Sequence, residues 1–500
     1  CGSIRYCPFS NIRKKRGSPM FDDQSRRYKN QLVPLQPIDV DKYKKFVGDK
    51  AIEELKWLSE PLKDKVWANV NSTFIGGGVA EMLRSIVPFA KGLGIKCRWF
   101  VIEGTTEFFT VTKKFHNMLQ GKKDRISMEE IFHAYLENIY NNLKQTKIPA
   151  HMVIVHDPQP AAAIMSGNIF GYVLWRCHID TSEASRRIWR FLLPYINQYD
   201  GAIFTCPEFV KDGLHIPEYC ITPAIDPLKE KNRQYSREKA MSIVSPLFKK
   251  NNIDPGRPFI LAVSRYDIHK NQQTIIKAFK QMKKQLPADA PDPLFIIVGN
   301  MATDDPEGEK MYQTILAEIG GDKDIFSFLN IEDNDRIVGA LMNLATCFVH
   351  VSTKEGFGLV VTEAMWQGTP VIGSSIGGIQ KQVMSGTTGF LVEPTDVEKI
   401  IHHMVFFLKN KEERSVMGNN SIEHVRSNFL LPALVKQYLY LMRYYLEIDN
   451  KFPPSRINDI TYSEIKKAAY GRSVWPFSRD ALHEKIESLW ETLETQSDKD

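Results

Sequence analysis

The chain has 500 residues, 43% hydrophobic and 25% charged, which is more than one core usually organises, since single cores stop growing near ~250–300 residues. Two domains are therefore expected. The net charge of +6 already resides in residues 1–30, where Arg5, Arg13, Lys14, Lys15, Arg16, Arg26, Arg27 and Lys29 stand against Asp22 and Asp23. The remainder is neutral overall, which argues for a solvated basic tail and against a nucleic-acid-binding face on the folded part.

Cys1, Cys7, Cys97, Cys177, Cys206, Cys220 and Cys347 show no C-x-x-C spacing, so neither a zinc site nor a disulfide framework is expected. No apolar stretch reaches the ~18 residues of a membrane span, and residues 1–19 are basic without an apolar core. A cytoplasmic location without membrane partners is the simplest expectation. The chain opens on Cys, which makes Met20 a candidate start. Asn71-Ser72-Thr73 fits a glycosylation acceptor, but it closes a predicted buried strand and is expected to stay unmodified.

In chain order, residues 1–40 are expected to form a disordered basic extension. Residues 41–240 then read as a first Rossmann-like α/β domain, with strand candidates at 66–70, 97–102, 152–155, 172–177 and 202–205. Residues 226–257, rich in Lys, Arg, Asn and Pro, read as the interdomain connection. A second series of strands at 259–263, 294–298, 326–329, 348–351 and 371–372 falls in a domain spanning 241–430. Helices are expected over 397–408, 412–428 and 433–446. The last is apolar on much of its surface and needs a partner surface, and residues 449–500 have no assigned role. Alternating strands and helices predict parallel sheets, which bind ligands outside the carboxyl ends of their strands, so both domains should present loops to a common cleft.

Four constellations sit at such loops. In EGFGLVVTE (355–363), Gly356 and Gly358 leave the backbone open to close approach, and the amides starting a helix favour an anion. Glu355 and Glu363 lie about two helical turns, ~12 Å, apart, so one carboxylate can face a sugar and the other a more distant group of the ligand. Arg265 directly follows the strand FILAV, and Lys270 stands five residues later. A guanidinium fork with a point charge suits a diphosphate leaving group. Gly76-Gly77-Gly78 lies between a strand and a helix and can approach phosphate or sugar hydroxyls. The helix behind it carries few cations, which favours a soluble acceptor over a lipid surface. His156 and Asp157 end another strand, and Trp175, Arg176, His178 and Asp180 surround the next strand end, where they offer a ring, a cation and a carboxylate to a sugar. Each group also has an ordinary structural reading as a turn, a surface cation or a satisfied core residue. Asp304-Asp305-Pro306-Glu307 reads as a helix N-cap, with Pro at the first helical position, and nothing else offers oxygen ligands at magnesium-like spacing.

Taken in this order, the runs VNSTFIGGGVAEML, WFVIEGTTEFFTVTKKFHNMLQG, HDPQPAA, WRCHID, SRYDIHKN, DDPEG and EGFGLVVTEAMWQGTPVIG resemble glycosyltransferase family 4. The resemblance is closest to the glycosyltransferring trehalose synthases and retaining trehalose phosphorylases, and it covers residues 40–445. It implies a GT-B fold, with the donor in the C-terminal domain, the acceptor largely in the N-terminal one, and a terminal helix crossing back over 431–448. By motif position it implies that Arg265 and Lys270 hold donor phosphates, while Glu355 with Gly356, Phe357 and Gly358 holds the donor sugar. Glu363 would then accept from a ribose and His156 would bind the transferred sugar. Acceptor contacts would fall to Gly77, Gly78, Asp157 and Arg176.

The activity so implied is a retaining transfer between NDP-glucose and glucose that makes trehalose reversibly. Its partners would be small-molecule sugars and a nucleotide-sugar, with a homodimer as a possible assembly. Phosphorolysis of trehalose is the alternative, and a non-catalytic nucleotide-sugar sensor the remote one. No cofactor and no metal are expected. EDTA should therefore leave transferase activity unchanged in a coupled assay, and a loss restored by magnesium or manganese would contradict the reading.

Overall fold

A computed structural model describes residues 32–448, apart from 75–76, 144–146, 288–289 and 301–305. The expectations for residues 1–31, the extension 449–500, Gly76 and the Asp304-Asp305 cap lie outside the described residues. Two six-stranded parallel sheets form the frame. The first contains β1 (Val66–Asn71), β2 (Lys96–Val101), β3 (Ile148–His156), β4 (Ile169–Arg176), β5 (Gly201–Phe204) and β6 (Glu218–Cys220), in the spatial order 2-1-3-4-5-6. The second contains β7 (Phe259–Val263), β8 (Leu294–Gly299), β9 (Ile325–Leu329), β10 (Cys347–His350), β11 (Val371–Ser374) and β12 (Gly389–Val392), in the order 12-11-10-7-8-9.

The sequence pattern explains the layering. Strands such as Leu294–Gly299 are buried along their whole length, as parallel strands covered on both faces must be. Side chains alternate between two apolar layers: Met152 and Ile154 enter one and Val153 and Val155 the other, as the two-residue strand period dictates. The same division places Phe259 and Leu261 opposite Ile260 and Ala262.

The helices that position the site are α1 (Asp49–Ser59), α2 (Gly77–Gly92), α3 (Thr106–Leu119), α4 (Arg237–Lys250), α5 (Gln272–Gln285), α6 (Asn334–Leu344), α7 (Leu359–Trp366) and α8 (Leu431–Tyr445). The chain passes between the sheets twice at one place. The Ile225 amide donates to the Phe429 carbonyl and the Leu431 amide to the Ile225 carbonyl, both at 2.9 Å. Beyond this bridge α8 lies on the N-terminal sheet, where Leu434, Tyr438, Leu439 and Met442 join Trp67, Trp99 and Leu174. The rings of Trp67 and Tyr438 are 5.0 Å apart, Tyr445 Oη donates to the Asp200 carbonyl at 2.9 Å, and Arg443 donates to the carbonyl of Leu58 at the end of α1, also at 2.9 Å.

Two boundaries and two short strands differ from expectation. Residues 237–250, expected within the connection and split by the 240/241 boundary, form α4. Its Ala240, Ile243, Val244 and Phe248 pack into the C-terminal core; these positions keep a helical period that the surrounding Lys and Arg obscure. Residues 32–40, expected in the disordered extension, pack against the first domain: Val33 and Val40 are buried and the Val33 amide donates to the Trp99 carbonyl. The short strands β6 and β12 were not expected.

Leu439 is fully buried where α8 meets the first sheet, and truncating such a leucine costs about 2–5 kcal/mol. Leu439→Ala should therefore lower the melting temperature by several degrees in calorimetry, although the residue lies outside both sheets.

Candidate active site

The chemistry-bearing loops sit where strand order reverses. In the first sheet the reversal falls between β1 and β3, and in the second between β7 and β10, the places where parallel sheets open a crevice. After β7, Gln272 Nε2 donates to Ser264 Oγ at 2.9 Å and to the Arg265 carbonyl at 3.1 Å. Tyr266 is buried, with Oη 2.9 Å from Ser327 Oγ. The loop is thus anchored on both sides of Arg265, which stays exposed. A short 3₁₀ turn, Ile268–Lys270, capped by Asp267, then presents Lys270.

Lys270 Nζ lies 2.6 Å from Glu355 Oε2, although the residues are 85 apart in the chain. The same carboxylate oxygen accepts from His350 Nε2 at 2.8 Å. Burial alone would raise the Glu355 pKa, but the Lys270 charge and the His350 hydrogen bond outweigh it and hold the carboxyl far below its ordinary range. Burial lowers the His350 pKa, against the pull of Glu355, so the imidazole is a neutral donor near pH 7. An ammonium has three donors, so Lys270 can hold Glu355 and still reach an anion.

The glycines that follow are required by geometry. A Cβ on Gly356 would stand 2.4 Å from the His178 carbonyl oxygen, so the domains touch here backbone to backbone. Gly358, at φ +82°, is the N-cap of α7, a left-handed position that favours glycine. The Phe357 side chain is buried and lies 5.7 Å from the Phe429 ring, so what Phe357 can offer a ligand is its backbone, the part the resemblance implies. Gln382, which sequence reasoning missed, fastens this loop by donating to the Phe357 carbonyl and accepting from Thr362. Glu363, on α7, pairs with Lys231 at 2.7 Å, and Lys231 also pairs with Glu81 of α2.

On the N-terminal side, His156 ends β3 and is almost wholly buried. Its Nε2 lies 3.1 Å from Asn69 Oδ1 and its Nδ1 3.0 Å from His178 Nε2. Asn69 Nδ2 faces Cys97 Sγ and the Arg98 carbonyl, so Oδ1 is the acceptor and His156 carries its proton on Nε2. Burial, and then the Arg176 charge, push the His156 pKa well below its usual value, so it is neutral near pH 7, with both ring nitrogens engaged by Asn69 and His178.

Arg176 differs from its expected place among acceptor contacts. It has no exposed surface, because β4 turns it inward to donate to the Ile221 carbonyl at 2.9 Å and to His178 Nδ1 at 3.4 Å, with Tyr438 of α8 5.6 Å from the guanidinium carbon. It orients His178, and its Nη1 is buried without a hydrogen-bond partner among the described residues. Trp175 is likewise enclosed in the core, and Asp180 accepts from the Ser182 amide and hydroxyl. Asp157, at φ +68°, accepts from the His178 amide at 2.8 Å. Gly77 and Gly78 open α2, and a Cβ on Gly78 would meet Leu359 of α7 at 3.7 Å, so the two glycine-led helix ends face each other across the cleft. His116 of α3 was also missed: burial and the charges of Lys113 and Arg265 lower its pKa to about 4. It lay inside a quoted run without a role of its own.

Ion pairs Lys354–Glu183 at 2.6 Å and Lys381–Glu208 at 2.8 Å also join the domains. Among the described residues, no group of three or more His, Cys, Asp or Glu is arranged to hold a metal, and no helix is long and apolar enough to cross a membrane. The arrangement suits group transfer at an anionic leaving group, with cations and a carboxylate on one wall and neutral hydrogen-bonding groups on the other.

Comparison with known proteins bears on that chemistry. Residues 69–211 match the family described as "Trehalose synthase, N-terminal domain" and residues 245–424 that described as "Glycosyl transferases group 1". A trehalose synthase of Thermococcus litoralis is 39% identical over 406 residues, covering 81% of this chain and 96% of the relative. The chain belongs to the trehalose synthase family of group 1 glycosyltransferases. Rubrobacter xylanophilus has a trehalose synthase 37% identical over 80% of this chain and 95% of its own. A trehalose phosphorylase of Grifola frondosa is 25% identical, covering 85% of this chain and 64% of its own. A UDP-forming α,α-trehalose-phosphate synthase structure from Burkholderia xenovorans shares the GT-B fold, with a TM-score of 0.60 and 12% identity over 76% of this chain and 100% of its own. The enzyme is thus a glycosyltransferase of trehalose chemistry.

Asp157 gives this glycosyltransferase a pH signature. Burial raises its pKa from the ordinary 3.8 to about 7, against the His178 amide and the Arg176 charge. The folded state therefore keeps a proton that the unfolded chain releases above pH ~4, a stability penalty that grows until pH ~7 and is constant above. Asn tolerates the left-handed backbone and can still accept from His178. The melting-temperature gain of Asp157→Asn over wild type should grow from pH 4 to 7 and then level off; a pH-independent difference would refute the shift.

Proposed function

We propose that this glycosyltransferase moves a glucosyl group from an NDP-glucose to glucose with retention of anomeric configuration, making trehalose reversibly. The observation that carries this reading is the Lys270–Glu355 contact of 2.6 Å at the crevice of the donor sheet, beside the exposed Arg265. Lys270 and Arg265 would balance charge that grows on the diphosphate as it leaves, the kind of preorganised electrostatic term that dominates many transfers. Glu355, kept ionised, would accept from hydroxyls of the donor sugar, and Glu363 from a ribose. The neutral His156, on exchanging its His178 or Asn69 contact for a sugar hydroxyl, would bind the transferred sugar without adding a competing cation.

Attack is from the face the diphosphate leaves. The bond from the anomeric carbon to phosphate oxygen breaks, the acceptor oxygen bonds to that carbon, and its proton passes to the departing phosphate oxygen. No resident metal or cofactor is part of this reading, in which Arg265 and Lys270 would meet the diphosphate. The reading places the enzyme in the cytoplasm, where nucleotide-sugars are made.

The test offers purified protein trehalose with ADP, UDP, GDP or inorganic phosphate and identifies the product. NDP-glucose is expected, and glucose 1-phosphate formed only with phosphate would overturn the nucleotide reading. Arg265→Ala and Lys270→Ala should each lower kcat on the order of 10²-fold or more; near-wild-type turnover in both would remove the phosphate assignment.

A further inference from the structure

Lys231 stands in a short turn, Glu230–Asn232, that connects the domains. This turn is fastened to the C-terminal domain. A Cβ on Gly339 of α6 would come within 2.6 Å of the Lys231 carbonyl, the Asn232 carbonyl accepts from Trp366 Nε1 at 2.8 Å, and the Arg233 carbonyl accepts from Gln367 at 3.0 Å. Because α7 carries both Glu363 and Trp366, the Lys231–Glu363 pair is fixed within one rigid body. The Lys231–Glu81 pair is different, since Glu81 belongs to α2, the helix whose glycine-led end faces α7. One ammonium therefore serves a nearly buried carboxylate of the donor domain and, across the cleft, a half-exposed carboxylate of the acceptor domain, with side-chain exposures of 9% and 45%.

We propose that Lys231 is a positioning residue that couples donor binding to closure: it keeps Glu363 ready to accept from the donor and, through Glu81, draws the acceptor helix α2 onto the donor site. The coupling follows from the charge count. Glu363 is faced by Lys231 from the turn, Glu81 from α2 and Asp335 from α6, and the adjoining cavity is lined also by Asp226 and Lys229. Burial, then Glu81 and Asp335, push the Glu363 carboxyl toward its protonated form, and Lys231 opposes them. A protonated Glu363 accepts fewer hydrogen bonds. Loss of Lys231 should therefore weaken donor binding most at low pH, whereas loss of Glu81 should leave Glu363 ionised and loosen only the cross-cleft contact.

The inference rests on the nucleotide-donor reading, so the closing experiment separates them. With the NDP-glucose identified above, KM and kcat are measured from pH 5.5 to 8.5 for Glu363→Ala, Lys231→Met, Lys231→Arg and Glu81→Gln, with melting temperature as a folding control. Lys231→Met should raise the donor KM about 10-fold near pH 7, the size of one lost charge-assisted hydrogen bond, with little change in kcat. The pH below which donor KM climbs should move upward, and Lys231→Arg should restore most of both. Glu81→Gln should raise the glucose KM several-fold and spare the donor KM. If Glu363→Ala leaves the donor KM unchanged, the ribose assignment falls and this inference with it. If Glu363→Ala raises it while Lys231→Met shows wild-type KM and pH profile, the positioning role alone is overturned. A lowered melting temperature without a shifted profile overturns it in the same way, leaving a purely structural ion pair. Should Lys231→Met fail to fold, Glu81→Gln decides, because an unchanged glucose KM in that exposed variant refutes the coupling.

Discussion

The contact between Lys270 and Glu355 joins loops from two neighbouring strands at the reversal point of the donor sheet, and its strength depends on how much water the surroundings exclude. A pair at 2.6 Å in a half-enclosed site gains from reduced screening but carries a desolvation cost, and His350 offsets part of that by donating to the same oxygen. The loop between Glu355 and Gly358 then has little freedom. Its carboxylate is held from below, its Phe357 ring is sunk into the core, and its carbonyls are bound by Gln382. What remains toward the cleft is backbone, which is why Gly356 can touch the His178 carbonyl of the other domain.

The opposite wall obeys a different electrostatic rule. His156, His178 and Asn69 form a hydrogen-bonded set in which burial suppresses charge, and the permanent charge of Arg176 beside it is buried. Cations concentrated on the donor side and neutral polar groups on the acceptor side suit a ligand that is anionic at one end and a plain sugar at the other. The crossing helix α8 contributes through Tyr438, which packs beside Arg176, so a residue from the end of the described chain supports the geometry of a strand near its middle.

Much of this was legible in the sequence, and the exceptions have physical causes. Phe259–Val263 was expected residue for residue, because a short apolar run ending at a charged loop has few other uses. The strands β6 and β12, with three and four residues, are too short for alternation to register. Helix α4 was hidden by its Lys and Arg, which dominate composition while Ala240, Ile243, Val244 and Phe248 set the buried face. At the site, residue type and strand-end position led to Arg265, Lys270, Glu355 and His156. For Arg176 they did not foretell its burial, since the side of a strand end that faces solvent is decided by its neighbours. Lys231 and Glu81 carried no local signal; only the folded chain brings them to Glu363.

The paired crossings at Ile225 and Leu430 have a mechanical consequence. Two lengths of backbone hydrogen-bonded side by side resist being pulled apart or slid past one another, so the connection leaves mainly one soft degree of freedom, a swing about the line they share. Motion of that kind moves points in proportion to their distance from the axis. Ion pairs that span the domains, such as Lys354 with Glu183 and Lys381 with Glu208, must lengthen in proportion to their distance from that line. Residues beside the pivot are displaced least.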